Sequence, residues 1–125
     1  MNRTVLAVVT DLFFVAKIQG VARAAGVSLH VSAPSDAAAE SAARAPDLIV
    51  LDLHAIADIA AFVTRLRRDT SAPLVGFYSH VDGETRRLAI EAGVDQVLPR
   101  SAFVTRLGDI LTGGQAKTTS TEEES

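Results

Sequence analysis

The sequence has no cysteine and no tryptophan, and only one tyrosine among its 125 residues. Without cysteine the chain can form neither disulfide bonds nor a cysteine-based zinc site, which is typical of proteins kept in a reducing cytoplasm. No apolar run approaches the ~20 residues that a membrane-spanning helix needs, and the N-terminus does not have the layout of a signal peptide. We therefore expect a cytoplasmic protein that does not contact a membrane.

The sequence also has little excess charge. Its formal net charge is −3, and in the C-terminal segment the three glutamates at 122–124 are opposed by Lys117 alone. The folded part is therefore close to neutral, which argues against direct binding of nucleic acid. Because 48% of the residues are hydrophobic, one globular domain is predicted over residues 1–112. Residues 113–125 are predicted to be a disordered polar and acidic tail.

Apolar segments typical of strands alternate along the chain with segments of helical periodicity. The strand-like segments are 4–9, 27–31, 48–51, 74–78 and 94–98. The helical segments are 12 to about 25, 36–45, 55 to about 68, 82–92 and 101 to about 111. Ser35, Asp82 and Ser101 are expected to be N-caps, and Gly26 and Gly93 are expected to end helices. Five strand–helix units in a row predict a parallel sheet with helices on both faces.

The segment 48–51 ends at an aspartate, Asp52. In a parallel α/β sheet, the carboxyl ends of the strands form the edge at which ligands bind. Asp11 follows the first strand and is expected at the same edge. Each carboxylate has a second interpretation as the N-cap of the next helix. We favour a pocket residue for Asp52 and leave both roles open for Asp11.

Two further motifs accompany these aspartates. Ala-Pro-Leu-Val occupies 72–75, and Glu-Ala-Gly-Val-Asp occupies 91–95, shortly before the basic Arg100. Together with Asp11 and Asp52, they resemble the receiver domains of two-component response regulators, the CheY-like superfamily, over nearly the whole predicted domain. The resemblance implies a flavodoxin-like, three-layer α/β/α sandwich, with a five-stranded parallel sheet in the order 2-1-3-4-5.

The resemblance also implies a phosphoryl-transfer site, with Asp52 as the candidate phosphoacceptor. In this family a carboxylate attacks a phosphoryl donor, while Mg²⁺ and a cationic side chain offset the negative charge. Carried over to this chain, the metal ligands would be Asp11, Asp52 and the backbone carbonyl of His54. The hydroxyl group that binds the phosphoryl oxygens falls on Tyr78 or on Ser79, and the alignment leaves both open.

The sequence departs from the family pattern at several positions, including Ser101 in place of a proline and Leu53-His54-Ala55-Ile56-Ala57 in place of a Met-Pro and a later glycine. Thr10 replaces the second carboxylate, Arg100 replaces the lysine, and Val97 replaces the aromatic residue of the fifth strand. Because one carboxylate is lost, Mg²⁺ binding is expected to be weak at most, and no other cofactor is expected. Arginine keeps the positive charge but is longer and planar. We expect Arg100 to bond Asp52 directly or through water and to lower the pKa of Asp52.

The sequence is therefore interpreted as a stand-alone, atypical receiver-like signalling module that is not an enzyme. Phosphorylation at Asp52 would be impaired. The resemblance implies a protein partner at the face formed by the fourth helix, the fifth strand and the fifth helix, and a histidine kinase is one candidate partner. Two alternatives stay open: a conventional Mg²⁺-dependent phosphoacceptor, and a flavodoxin-like domain that binds a small molecule.

Overall fold

The computed structural model describes residues 3–79 and 83–113. Its sheet is formed by β1 (Thr4–Val8), β2 (Ser28–Ser32), β3 (Leu48–Asp52), β4 (Leu74–Tyr78) and β5 (Gln96–Pro99). Neighbouring strands are parallel, and their order is β2-β1-β3-β4-β5. The predicted flavodoxin-like sheet is therefore confirmed.

Helices cover both faces of this sheet. They are α1 (Leu12–Ala25), α2 (Ala37–Arg44), α3 (Ile59–Leu66), α4 (Gly83–Ala92), α5 (Arg100–Thr105) and α6 (Leu107–Thr112). Successive residues of a strand point to opposite faces, so Ile49 packs in a cluster with α2, α3 and α4. Its neighbour Val50 packs in a second cluster with α1, α5 and α6. These two apolar layers give the three-layer sandwich that the sequence predicts.

Two helices differ from their predicted extents. The third helix begins at Ile59 rather than at residue 55, because Leu53–Ala55 form a 3₁₀ turn. Its N-cap is Asp58, whose carboxylate accepts a hydrogen bond from the N–H of Ala61 at 3.0 Å. The predicted last helix is two helices, since the backbone of Arg106 (φ −100°, ψ 9°) separates α5 from α6.

The predicted helix ends are correct at some positions and wrong at others. Gly26 closes α1 in the left-handed conformation, with φ 73°. Ser35 lies inside the 3₁₀ turn Pro34–Asp36 and does not cap α2, and Ser101 lies inside α5. Asp82 is outside the described residues.

The C-terminal segment is described only at its start. Of the predicted tail at 113–125, only Gly113 is described, and it closes α6 with φ 73°. Within the two described ranges, no helix combines the length and the apolar character needed to cross a bilayer.

Candidate functional site

The carboxyl ends of four strands bring the predicted site residues to one edge of the sheet. Asp11 follows β1, Asp52 is the last residue of β3, and Tyr78 is the last residue of β4. Arg100 begins α5 directly after β5 ends at Pro99. Because all the strands are parallel, these ends meet at a single edge, which is where ligands bind in open α/β sheets.

Asp11 caps the first helix, one of the two roles that the sequence left open, and it also meets Arg100. Its Oδ1 accepts hydrogen bonds from the N–H groups of Phe13 (3.0 Å) and Phe14 (3.2 Å), so it caps α1. Its Oδ2 lies 3.4 Å from Nη2 of Arg100. The pKa of Asp11 is lowered, chiefly by the bond from Phe14 N–H; desolvation opposes this as the second-largest effect, and Phe13 N–H and the Arg100 guanidinium lower the pKa further.

Arg100 is positioned by Asp11 and by aromatic rings. Its Cζ lies 4.3 Å from the centroid of the Phe14 ring and 5.8 Å from that of Phe77, which are cation–π distances. The ion pair with Asp11 contributes little by itself, because the Arg100 side chain is 46% exposed. Arg100 was predicted to bond Asp52 directly or through water; the guanidinium pairs directly with Asp11 instead, so the direct form of that prediction is wrong.

Three clustered phenylalanine rings form an aromatic floor, of which Phe14 and Phe77 lie within cation–π distance of Arg100. Phe14 and Phe77 have their ring centroids 4.7 Å apart, and Phe77 stacks on Phe103 at 4.6 Å. The rings come from α1, β4 and α5. The helical periodicity of residues 12 to about 25 carries no signal for a cation above the ring of Phe14. The aromatic floor was therefore missed.

Asp52 lies half-buried beside this cation. Its Oδ1 accepts a hydrogen bond from the N–H of His54 at 3.1 Å. Burial raises the pKa of Asp52 and outweighs the opposing effects of the His54 N–H bond and of the Arg100 charge. The predicted lowering of this pKa is therefore wrong, because burial outweighs the charge of Arg100.

Replacing Asp52 with asparagine should raise the free energy of unfolding at pH 7. The expected gain is on the order of 0.5 kcal/mol, since the carboxylate is only half-buried and solvent screens it. Asparagine keeps the oxygen that accepts the His54 N–H bond but has no charge to desolvate. The measurement is the urea unfolding midpoint of both proteins as a function of pH.

The pH dependence distinguishes charge from packing. Because burial raises the pKa of Asp52 in the folded protein, the charged carboxylate lowers the free energy of unfolding of the wild type at pH values above that pKa. This destabilisation disappears as the pH falls below ~3.9, the pKa of aspartate in the unfolded chain. The two proteins should therefore differ at pH 7 and converge in acid. A difference that stays constant with pH would mean that the charge is not its cause.

The two candidate hydroxyl residues have different surroundings. Tyr78 is buried in the cluster that faces α2, α3 and α4. Ser79 is exposed and lines a cleft of about 500 Å³ together with Arg100, Ser101 and Val104. The backbone N–H of Ser79 donates to Nε2 of His54 at 2.8 Å, which links the loops after β3 and β4. Of the two, Ser79 is therefore the residue beside Arg100.

The oxygens at this edge do not fit the Mg²⁺ that the fold family implies. Mg²⁺ needs octahedral oxygen ligands, usually with one or two carboxylates free to bind it. Both oxygens of Asp11 are already engaged, one by the start of α1 and the other by Arg100. Across residues 3–79 and 83–113 there is no group of three histidine, aspartate or glutamate side chains that could hold a metal ion.

Comparison with solved structures returns many similar folds. A response regulator from Hahella chejuensis aligns with a TM-score of 0.78 at 20% identity, over 96% of this chain and 100% of its own. A LuxR family DNA-binding response regulator from Silicibacter pomeroyi aligns with a TM-score of 0.66 at 28% identity, over 89% of this chain and 93% of its own. A response regulator from Thermotoga maritima aligns with a TM-score of 0.72 at 14% identity, over 90% of this chain and 99% of its own.

No protein-family model and no curated protein sequence matches the chain. The structural alignments span nearly all of the chain and of the proteins compared. The chain therefore has the CheY-like receiver-domain fold of response regulators, as the sequence resemblance predicts.

Proposed function

We propose that this protein is an atypical receiver-like signalling module that acts through protein contacts, with phosphorylation at Asp52 impaired. The observation that carries the proposal is the position of Arg100, whose guanidinium binds Asp11 and lies over the Phe14 ring. A cation that is part of the chain thus offsets the charge of Asp11 at the edge where the fold family performs phosphoryl transfer.

The same arrangement disfavours the chemistry of phosphorylation. Asp52 must meet a phosphoryl donor, and a cation aimed at the reacting atoms is needed to bring two anions together. Arg100 directs its charge to Asp11, and both oxygens of Asp11 are engaged. The Arg100 charge therefore reaches Asp52 without a direct bond, and burial of that carboxylate outweighs it.

The proposed partner surface is formed by α4, β5 and α5. Two apolar side chains of α4, Leu88 and Ile90, are 40% and 48% exposed. The two lie two positions apart, roughly 200° around the helix, so they are single exposed side chains rather than one patch, and the choice of this face rests on the resemblance to receiver domains. We assign this face to a partner protein in two-component-type regulation, such as a histidine kinase, and we assign no enzymatic activity to the chain itself.

The test is intact-mass spectrometry after incubation with acetyl phosphate and Mg²⁺. The wild type should gain little or no phosphoryl mass. Thr10→Asp combined with Arg100→Lys restores the acidic pair and the family's lysine. It should accelerate phosphorylation at least ~10-fold, because a missing charged contact commonly costs more than ~1.4 kcal/mol in the transition state.

A matched control places Asp52→Asn in the doubly substituted background, where the mass gain should vanish if Asp52 is the acceptor. Circular dichroism of each variant checks that it is folded. Efficient phosphorylation of the wild type at Asp52 would overturn the proposal and establish the conventional phosphoacceptor instead.

A further inference from the structure

β2 is one end of the sheet and pairs with β1 alone. In a parallel ladder, the N–H and C=O of one residue face the same neighbouring strand, and those of the next residue face the other side. The N–H of Ser28 donates to the carbonyl of Arg3 at 2.9 Å, so Ser28 faces β1. The alternation therefore directs the backbone groups of Leu29 and Val31 away from the sheet.

The outer side of β2 lacks the features that usually prevent strand pairing. Natural edge strands carry charged residues, proline or bulges. Residues 26–33 contain neither a charge nor a proline, and Val31 is 41% exposed. The opposite edge is different, because β5 is preceded by Asp95, ends in Pro99 and is followed by Arg100. Only β5, of these two edge strands, is protected in this way.

The sequence of β2, Ser-Leu-His-Val-Ser, is complementary to itself in an antiparallel arrangement. When His30 of one copy lies opposite His30 of the other, Leu29 of each copy lies opposite Val31 of the other. Both residues of each such pair have outward-facing backbone groups, so each pair exchanges two hydrogen bonds. His30 then faces His30 of the second copy in a non-hydrogen-bonded pair. Every outward-facing group of the strand is satisfied in this register.

We propose that β2 pairs antiparallel with β2 of a second copy of this chain, in the register centred on His30. The sheet then runs continuously through both copies, and the two edges that carry Asp52 point in opposite directions. Because a single strand pair buries a small area, the dimer is weak and depends on concentration. The inference does not rest on the proposed signalling role.

Sedimentation velocity over a wide concentration range tests the assembly. The wild type should shift from monomer to dimer as its concentration rises. Val31→Lys introduces one positive charge per copy at the pairing edge and should weaken association at least ~10-fold. Thr64→Lys adds the same charge at an exposed position of α3 and should dimerise like the wild type. A wild type that stays monomeric, or assembles beyond a dimer, overturns the proposal, and so does equal weakening by both lysines.

Single-cysteine variants test the register, since the natural chain has no cysteine. In a non-hydrogen-bonded pair the Cα atoms lie ~4.5 Å apart, which a disulfide can bridge. His30→Cys should therefore form a covalent dimer under mild oxidation. Val31→Cys would face its own counterpart only diagonally, at ~7–8 Å, which a disulfide does not bridge.

Val31→Cys is the matched control for His30→Cys, because it shows how much disulfide forms through random collisions between molecules. Equal cross-linking of both, or cross-linking of Val31→Cys alone, would contradict the proposed register. Circular dichroism confirms that each variant is folded. If His30→Cys does not fold, the sedimentation comparison of Val31→Lys with Thr64→Lys still decides whether β2 is the interface.

Discussion

Replacing Phe77 with alanine should lower the free energy of unfolding by ~3–5 kcal/mol, the usual cost of truncating a buried phenylalanine. Phe77 is fully buried on β4, and its ring lies between those of Phe14 and Phe103. Its removal opens a cavity below Arg100 and separates three elements that these rings hold together. Since domains of this size have only ~5–15 kcal/mol of stability, the loss would be a large fraction of the total.

Phe13→Ala is the matched control, because it makes the same chemical change on the surface. Phe13 is 90% exposed, so its truncation should alter stability by no more than ~0.5 kcal/mol. Urea unfolding followed by circular dichroism measures both variants. Similar losses for Phe77→Ala and Phe13→Ala would mean that the three rings do not stabilise the fold in this way.

Gly76→Ala should destabilise the fold by a net ~1–2 kcal/mol, although alanine is a small residue. A Cβ at position 76 would lie 3.0 Å from side-chain carbons of Leu53. Leu53 is fully buried and cannot swing into solvent. Overpacking of this kind costs ~1–3 kcal/mol, more than the ~0.4–1 kcal/mol gained by stiffening the unfolded chain. Because Leu53 directly follows Asp52, its displacement would also disturb the site.

Gly20→Ala is the corresponding control, because it makes the same substitution where there is room for the added methyl group. Gly20 is exposed in the interior of α1, and nothing lies within 4 Å of a Cβ built there. Alanine should therefore stabilise the protein by ~0.5–1 kcal/mol through its helix propensity. The thermal and urea unfolding midpoints should fall for Gly76→Ala and rise for Gly20→Ala. If Gly76→Ala stabilises the protein instead, the Leu53 side chain can move to make room for the added methyl group.

The central strands could be predicted because their apolar runs are uninterrupted. The segment 74–78 agrees with β4 at both ends. The fifth strand was placed two residues too early at its start, since Val94 is buried but precedes the strand, and its N–H donates to the carbonyl of Ala89. Apolar residues indicate burial, and they do not separate a strand from the turn that leads into it.

The helix breaks could not be predicted from the same pattern. The nearest helix-breaking residue, Gly108, lies two positions beyond Arg106 and inside α6, yet the backbone of Arg106 divides the last predicted helix. The late start of α3 has a local cause in the cap by Asp58, but Asp52 was an equally good N-cap candidate in the sequence. Such choices depend on tertiary packing, which periodicity does not record.

The sequence predicts where the candidate site lies, but it does not predict which of its residues contact one another. Strand connectivity alone brings Asp11, Asp52 and Arg100 to one edge. Which aspartate Arg100 contacts depends on the ring of Phe14, which supports the guanidinium on the side of Asp11. The direction of the pKa change of Asp52 depends on how burial compares with nearby charge, and the sequence specifies neither quantity.

A cation that belongs to the polypeptide has no dissociation constant. Arg100 is present once per molecule, so the charge beside Asp11 does not depend on the concentration of divalent cations, although dissolved salt screens this exposed pair. An output that depends on this pocket would therefore persist when divalent cations are depleted or chelated. It would change when a ligand or partner competes for the carboxylate of Asp11 or for the guanidinium itself.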